Sequence, residues 1–469
     1  MHGNNDRQRR EFDSLVANRQ AAPGKEQEQQ GIKGVAIEAD EAADPEDYDH
    51  IESHGPVRKK EECTAEIMLR PRGRNLGYYL SRISAATSAL PPVRRAVPFR
   101  HGNAFSGRQR FVSGFPGLDV HLYSSGTCAL AVALLDARLR HGGTHPEAII
   151  PAYGCPQLVA ACMFAGVRPR LVDTAREHWG YDLKEFQSSL SRDTVAVVAV
   201  NLLGVGDQSQ VMRPLADAAG LLLIQDSAQY LPTEATDWSG DYVVLSFGRG
   251  KPLNLLRGGA LATRYATLPN LPPDPATPLE RLSESRLAGL AKAAGFNVLT
   301  HPRVYWLSAR LPGIGDTNFV PLNRAAALPF GAWGHVGAAF DDYAREGWQF
   351  IWKDVLPEWQ SAGIQILTCP GDVPNLGTRR LRLALLAQTR EQRDRLVSSI
   401  NIDHLGASVM YGVPLNRIHG VPPQVATQGP FPNAELLAGR LFTLPTHSQV
   451  TSGVHDRVRN CVTHVTALN

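Results

Sequence analysis

Leu221-Leu222-Leu223-Ile224-Gln225-Asp226-Ser227-Ala228-Gln229 is the stretch on which the fold turns. Four apolar residues running into a polar cluster read as a short buried strand with Asp226 at its carboxyl end. Similar runs stand at Ala148–Ile150, Arg170–Val172, Val195–Val200 and Tyr242–Phe247, with helical stretches between them. That alternation predicts an α/β fold with a mainly parallel sheet covered by helices on both faces. Open sheets of this kind gather ligands at the carboxyl ends of their strands, so Asp226 stands where a site is expected.

Two further segments share that logic. Ser124-Ser125-Gly126-Thr127 precedes Cys128–Arg140, where Leu130, Leu134 and Leu135 recur at helical spacing. This is a capped helix start, whose free N–H groups and positive dipole end suit a phosphate. Ser246-Phe247-Gly248-Arg249-Gly250-Lys251 follows the strand ending at Leu245. Singly, these residues read as a cap, a strand-end turn and a solvated charge. Jointly they match the needs of pyridoxal phosphate: an amine for a Schiff base, a carboxylate for the ring nitrogen and small donors around the phosphate. Lys251 is the candidate amine, activated by burial and by the cofactor itself. Asp226 would keep the ring nitrogen charged, so that electrons released at the substrate's α-carbon flow into the ring.

With these motifs in order, the chain from about Arg100 to Thr466 resembles the DegT/StrS-type sugar aminotransferases, a branch of the fold-type-I pyridoxal phosphate enzymes. Ile150-Pro151-Ala152-Tyr153, Gly166–Asp173, Asn201-Leu202-Leu203-Gly204, Arg257–Thr263 and the closing Leu444-Pro445-Thr446-His447 carry the likeness. The resemblance implies a large PLP-binding α/β domain and a smaller C-terminal α+β domain. It implies Lys251 as the Schiff-base lysine, Asp226 as the ring-nitrogen partner and Gln229 near the cofactor's 3-hydroxyl. Ser125, Gly126, Thr127 and Ser246 become the phosphate cup. The family's ring-stacking aromatic falls on Cys155 here, so either Tyr153 takes over the stacking or a thiol packs there. Asn318 matches an asparagine that the family lends to the phosphate of a second subunit, which implies a homodimer. The implied substrates are a keto-sugar, nucleotide-linked, and an amino acid donor such as glutamate.

This chain also departs from the pattern. Pro252 follows the lysine, and Arg257-Gly258-Gly259 replaces an acidic form. Tyr411 and His447 fall where the family's small domain approaches substrate. Tyr411 reads equally as a packed aromatic with its hydroxyl at the surface, and His447 as a structural histidine. Arg382 is one of several arginines whose planar fork suits a carboxylate or phosphate. Two rival functions stay open: a sugar dehydratase on the same cofactor, against which the retained lysine counts, and a non-catalytic member acting as a binding partner.

The remaining composition sets the bounds. The 469 residues exceed one ordinary domain. A net charge of +3 with interspersed signs gives no reason to expect nucleic acid. Six cysteines without a CxxC pair read as reduced thiols rather than a disulfide frame or zinc site. The polar N-terminus lacks a secretory core, and no apolar run suggests a membrane span, so a cytoplasmic protein is expected. Residues 1–65 are too polar to bury a core and are expected to be a disordered charged tail. The PLP-binding domain is expected over 66–335, with a divergent segment at about 269–313, and the small domain over 336–469. Helices are expected between Arg70 and Arg100, over Leu279–Ala294, around Trp348–Trp359 and over Arg390–Ile400, with a strand over Arg380–Leu386.

Overall fold

The structure is a computed structural model and describes residues 89–206, 209–269, 286–308, 317–347, 350–368, 379–402 and 404–467. The expected tail, the helix at Tyr78-Tyr79-Leu80 and the proline-rich 270–278 lie outside these residues.

Seven strands build the main sheet: β1 (Asp119–Tyr123), β2 (Glu147–Pro151), β3 (Arg168–Val172), β4 (Thr194–Val200), β5 (Leu222–Asp226), β6 (Tyr242–Ser246) and β7 (Gly259–Thr263). Their spatial order is β1-β7-β6-β5-β4-β2-β3. From β6 to β3 every pairing is parallel, while β7 runs antiparallel to both β6 and β1. β4, the apolar Thr-Val-Ala-Val-Val-Ala-Val, is buried on both sides, as a central parallel strand must be. The sequence reading found β2 to β6 but not β1 or β7. Gly-Ala-Leu-Ala-Thr in β7 has little β-branched content, so its strand state comes from pairing on both sides. β1 did carry a signal, since its exposed and buried residues alternate from Asp119 to Leu122.

The helices are α1 (Ala104–Val112), α2 (Gly126–His141), α3 (Gln157–Phe164), α4 (Leu183–Ser189), α5 (Ser209–Ala219), α6 (Arg286–Leu299), α7 (Pro302–Ser308), α8 (Ala332–Arg345), α9 (Leu356–Ser361), α10 (Arg390–Ile402), α11 (Pro423–Ala426), α12 (Pro432–Arg440) and α13 (Ser452–Ala467). α2 and α3 cover one face of the main sheet through Leu130, Leu134, Leu158 and Ile150. The other face packs on α4 and α5 through Phe186, Met212 and Leu223, and on α1 and α8 through Phe111, Trp333 and Phe340. α2 is buried on nearly every side, which its Ala and Leu content permits.

A second, antiparallel sheet has the order β10-β9-β8, with β8 (Gln365–Ile366), β9 (Arg382–Leu386) and β10 (Leu441–Pro445). Ala384 and Leu386 of β9 join the core of α2 and α3, whereas Leu383 and Leu385 face the second core with Leu396 of α10 and Val458 of α13. Both cores are thereby stitched through one strand. We propose that the division between large and small domains falls near the expected residue 336, modified by α8. That helix crosses the expected boundary and packs through Trp333, Val336 and Phe340 with α1 and the main sheet.

Two expected helices differ. Residues 89–103 run without regular structure into α1. The helix expected around Trp348–Trp359 begins only at Leu356, with Pro357 in its first turn. Proline lacks an N–H and suits a helix start rather than its interior, so it sets this boundary.

One loop gives the fold a pH dependence. Asp173 Oδ1 and Oδ2 accept from Ala434 N and Asn433 N at 2.9 and 3.0 Å, which holds the start of α12 against the end of β3. Beside it His178 is buried, stacked on Trp179 at 4.7 Å between ring centroids, with Nδ1 accepting from Gly180 N at 2.8 Å. Burial drives its pKa down to about 4. The unfolded ring titrates near 6.5, so this contribution is complete above that pH and lost as pH falls toward 4. At about 1.4 kcal/mol per unit, the loss reaches about 2–3 kcal/mol by pH 4. Thermal unfolding followed from pH 7 to 4.5 is expected to fall less steeply in His178→Asn than in the parent protein. Equal slopes would contradict the assignment.

Candidate active site

Strand ends assemble the site. β1, β5 and β6 finish at the same edge of the main sheet, where β7 begins. Asp226 closes β5 and is 8% exposed. Its Oδ1 accepts from Ala228 N at 3.0 Å, and its carbonyl accepts from Asn201 N at 2.8 Å. Asn201 also donates its side-chain amide to Ser227 Oγ at 2.5 Å, so the turn after Asp226 is fixed from the end of β4. Burial raises the Asp226 carboxyl, while the Ala228 N–H and the charge of Lys251 draw it back. The lysine therefore lies within electrostatic reach of the aspartate. Gly250, at φ +69°, turns the chain left-handed just before half-buried Lys251, a conformation glycine enters without a Cβ clash.

The phosphate cup expected at Ser125, Gly126, Thr127 and Ser246 is assembled at the same edge. Ser125 caps α2 by accepting from Cys128 N at 3.0 Å. A Cβ on Gly126 would stand 2.6 Å from Ser246 Cβ, and one on Gly259 only 2.5 Å from Gly126 N. The two glycines thus let the helix start lie directly across β6 and β7, bringing its first N–H groups beside Ser246 Oγ. The first N–H groups of a helix have no partner within it. A dianionic phosphate fits such a cradle. Thr127 Oγ1 donates to Gln157 Oε1 at 3.4 Å, a partner that the sequence reading did not identify. Gln157 Nε2 in turn donates to the Val320 carbonyl at 3.3 Å, which holds the loop carrying exposed Asn318.

Gln229 is buried, with Oε1 accepting from Leu203 N at 3.0 Å, so its amide NH2 is the group left for a further partner. Tyr153 is 1% exposed, its hydroxyl accepting from Tyr411 N at 3.4 Å and its ring edge-on to Tyr411 at 5.7 Å. Its ring has no open face for stacking. Cys155 is half-buried and exchanges a hydrogen bond with the Tyr411 hydroxyl. We therefore propose that the thiol turn at Cys155, rather than the Tyr153 ring, meets the cofactor face. Tyr411 is itself buried, and its pKa is raised by burial, then by Cys155, Tyr153 and Asp226. Of the two readings left open for Tyr411, its burial beside Cys155 and Asp226 favours the one that brings the hydroxyl to the site.

A cavity of about 280 Å³ adjoins this edge, lined among others by Gln229, Pro252, His447 and four arginines, Arg94, Arg95, Arg379 and Arg380. Arg95 pairs with Glu346 at 2.6 Å, and Arg95 and Arg379 both stack over the Tyr343 ring, at 4.5 and 4.1 Å. His447 Nε2 lies 2.9 Å from the Pro91 carbonyl, and burial lowers its pKa to about 4. Sequence reasoning did not assemble this basic wall, because Arg94-Arg95 and Arg379-Arg380 stand far apart in the chain.

A family model for the DegT/DnrJ/EryC1/StrS aminotransferase family matches residues 120–269 and 365–463, which together hold both sheets apart from part of β1 and carry the residues expected around the cofactor except Asn318. The chain belongs to that family. Among its relatives, the GDP-perosamine synthase of Escherichia coli O157:H7 is 28% identical over 31% of this chain and 40% of its own length. The dTDP-4-amino-4,6-dideoxy-D-glucose transaminase of Shigella dysenteriae is 24% identical over 37% of this chain and 50% of its own. The chain thus spans half or less of these two family members. Among solved structures, NtdA from Bacillus subtilis with bound cofactor PMP superposes with a TM-score of 0.55 at 18% identity, covering 83% of this chain and 81% of that one. A DegT/DnrJ/EryC1/StrS aminotransferase from Brucella abortus gives 0.53 at 16%, covering 84% and 99%. These likenesses establish the fold of the family member.

Proposed function

We propose that this chain is a pyridoxal phosphate-dependent aminotransferase that moves an amino group from an amino acid donor to a keto-sugar. The observation that carries it is that buried Asp226 at the end of β5 and half-buried Lys251 just beyond β6 stand at the sheet edge where Gly126 and Ser246 form an anion cradle. When bound, the cofactor supplies an electron sink for charge released at the substrate's α-carbon. The cradle of Ser125, Gly126, Thr127 and Ser246 holds its phosphate. Asp226 sets a negative charge against the ring nitrogen, and a cation there offsets the cost of burying a carboxylate. Gln229 offers its amide to the 3-hydroxyl. Lys251 would take the proton from the donor's α-carbon and deliver it to the cofactor's C4′ position, the 1,3-shift that transamination requires. No group of three or more His, Cys, Asp or Glu placed to hold a metal occurs among the described residues.

The arginine-walled cavity beside Gln229 and Pro252 favours a nucleotide-linked sugar, because a diphosphate needs concentrated positive charge in one wall. Glutamate suits the donor for the same reason, with two carboxylates to place. A homodimer, with Asn318 reaching a neighbour's phosphate, agrees with the exposure of that residue. Free Cys128, Cys155, Cys162 and Cys461 suit a reducing cytoplasm. No helix among the described residues is long and apolar enough to cross a membrane.

The experiment is nitrogen transfer. With 15N-glutamate and a nucleotide-linked keto-sugar, the product is expected to carry the label by mass spectrometry. Loss of water without label would make the protein a dehydratase. Colourless protein that binds sugar without turnover would make it a non-catalytic member.

A further inference from the structure

Gln157 is the first residue of α3 and follows Pro156, which gives this helix no side-chain cap. Its amide reaches sideways instead, to the start of α2, the helix that shares a core with α3. Oε1 accepts from Thr127 Oγ1 at 3.4 Å, and Nε2 donates to the Val320 carbonyl at 3.3 Å. A carbonyl only accepts, so Val320 fixes which end of the amide turns toward it. Oε1 is then left facing Thr127, where the hydroxyl proton must make the bond. A threonine hydroxyl has one proton to give, and here it goes to Gln157.

A phosphate in the cup asks for that same proton. Its oxygens are acceptors, and Thr127 stands in the first turn of α2, next to Gly126 and its close neighbour Ser246. Once the proton turns to phosphate, Oε1 and Oγ1 face each other as two acceptors. Turning the amide over offers Thr127 an N–H, but it sets Oε1 against the Val320 carbonyl. At these positions no orientation of the amide keeps both contacts. Val320 lies in a segment held from either end, since Phe319 N donates to the His419 carbonyl at 3.0 Å and Ser124 N to the Ala326 carbonyl at 2.8 Å. Val320 itself is 59% exposed, so little packing replaces the Gln157 bond when it is lost.

We propose, on the reading of this edge as a cofactor's phosphate cup, that Gln157 competes with the phosphate for the Thr127 hydroxyl and so couples cofactor loading to release of segment 320–325. Gln157 is a positioning residue, acting on the cofactor through Thr127 and on the segment through Val320. Coupling of this kind is reciprocal: holding the segment against Gln157 weakens phosphate binding by the factor by which phosphate loosens the segment. The cofactor is thereby held less tightly than the donors around it allow.

The test uses full-length protein freed of cofactor and titrated with pyridoxal phosphate and, separately, with pyridoxal, both followed by the visible band. Hydrogen exchange of the peptide covering 319–326 is read with and without pyridoxal phosphate. Gln157→Leu, which fills similar space with neither donor nor acceptor, is expected to bind pyridoxal phosphate about fivefold more tightly, the scale of removing one competing hydrogen bond. Its affinity for pyridoxal should be unchanged. Pyridoxal phosphate should speed exchange of the segment in the parent, whereas in Gln157→Leu exchange should be fast already and insensitive to it. Gln157→Glu, whose carboxylate holds the Thr127 proton harder and repels phosphate, should weaken pyridoxal phosphate binding about tenfold or more. If Gln157→Leu does not fold, Gln157→Met carries the same expectations. Binding that is unchanged or weaker in the apolar variant overturns the competition, as does an equal change for pyridoxal. Exchange in the parent that ignores pyridoxal phosphate overturns the coupling. A parent that takes up pyridoxal phosphate while the variants match it defeats only Gln157, and a parent that never takes it up defeats the reading of the cup itself.

Discussion

Replacing Lys251 with alanine lowers amino transfer by about 10⁴-fold or more and leaves the fold intact. A positioned acid–base group contributes about 10²–10⁴-fold, and this lysine is also the amine that holds the cofactor in place. Its side chain is half-buried in the turn after β6, so truncation opens no core cavity and thermal stability should move by less than about 1 kcal/mol. Single-turnover transfer from labelled glutamate measures the loss. Added methylamine should restore part of the rate by supplying a base of similar chemistry. Retention of more than one-tenth of the parent rate in Lys251→Ala would remove the lysine from the mechanism.

Asp226→Asn has the next largest effect. The substitution keeps shape and an acceptor for the Ala228 N–H while deleting the charge. A charge aimed at a site where charge develops is worth about 10²–10³-fold when removed from a water-poor pocket. Cofactor should still bind, because the cradle at Gly126 and Ser246 is untouched. Stability should rise or stay level, since burial alone already raises the Asp226 pKa and an amide carries no such penalty. Spectral titration with cofactor, stopped-flow transfer and thermal unfolding separate the three. A variant with parent activity would show that the ring nitrogen needs no anionic partner here.

How much of this was legible in the chain follows from where the signals lie. β2, β4, β5 and β6 announce themselves because central parallel strands are apolar on both faces, the edge strand β3 only by its Leu171-Val172 end, and Asp226, Ser246 and Lys251 stand at or beyond strand ends in sequence order. Gly126 was legible for the same reason, as the first residue after a capping serine. β7 was hidden, since its alanines take strand geometry from their neighbours and not from their own preference. Tyr411 and Cys155 lie 256 positions apart, and only the fold brings the hydroxyl and thiol together. The ring of Tyr153 looked suitable from its place after β2, yet whether an aromatic face is open depends on Tyr411 covering it. Arginine pairs separated by nearly three hundred residues carry no mark that they share a cavity.

The most direct measurement of the central claim is borohydride reduction of the purified, cofactor-treated protein, followed by peptide mapping. The account predicts a visible band that disappears on reduction, with the pyridoxyl mass on the peptide containing Lys251 and nowhere else. A modified lysine elsewhere, or no covalent capture in folded protein, would contradict it.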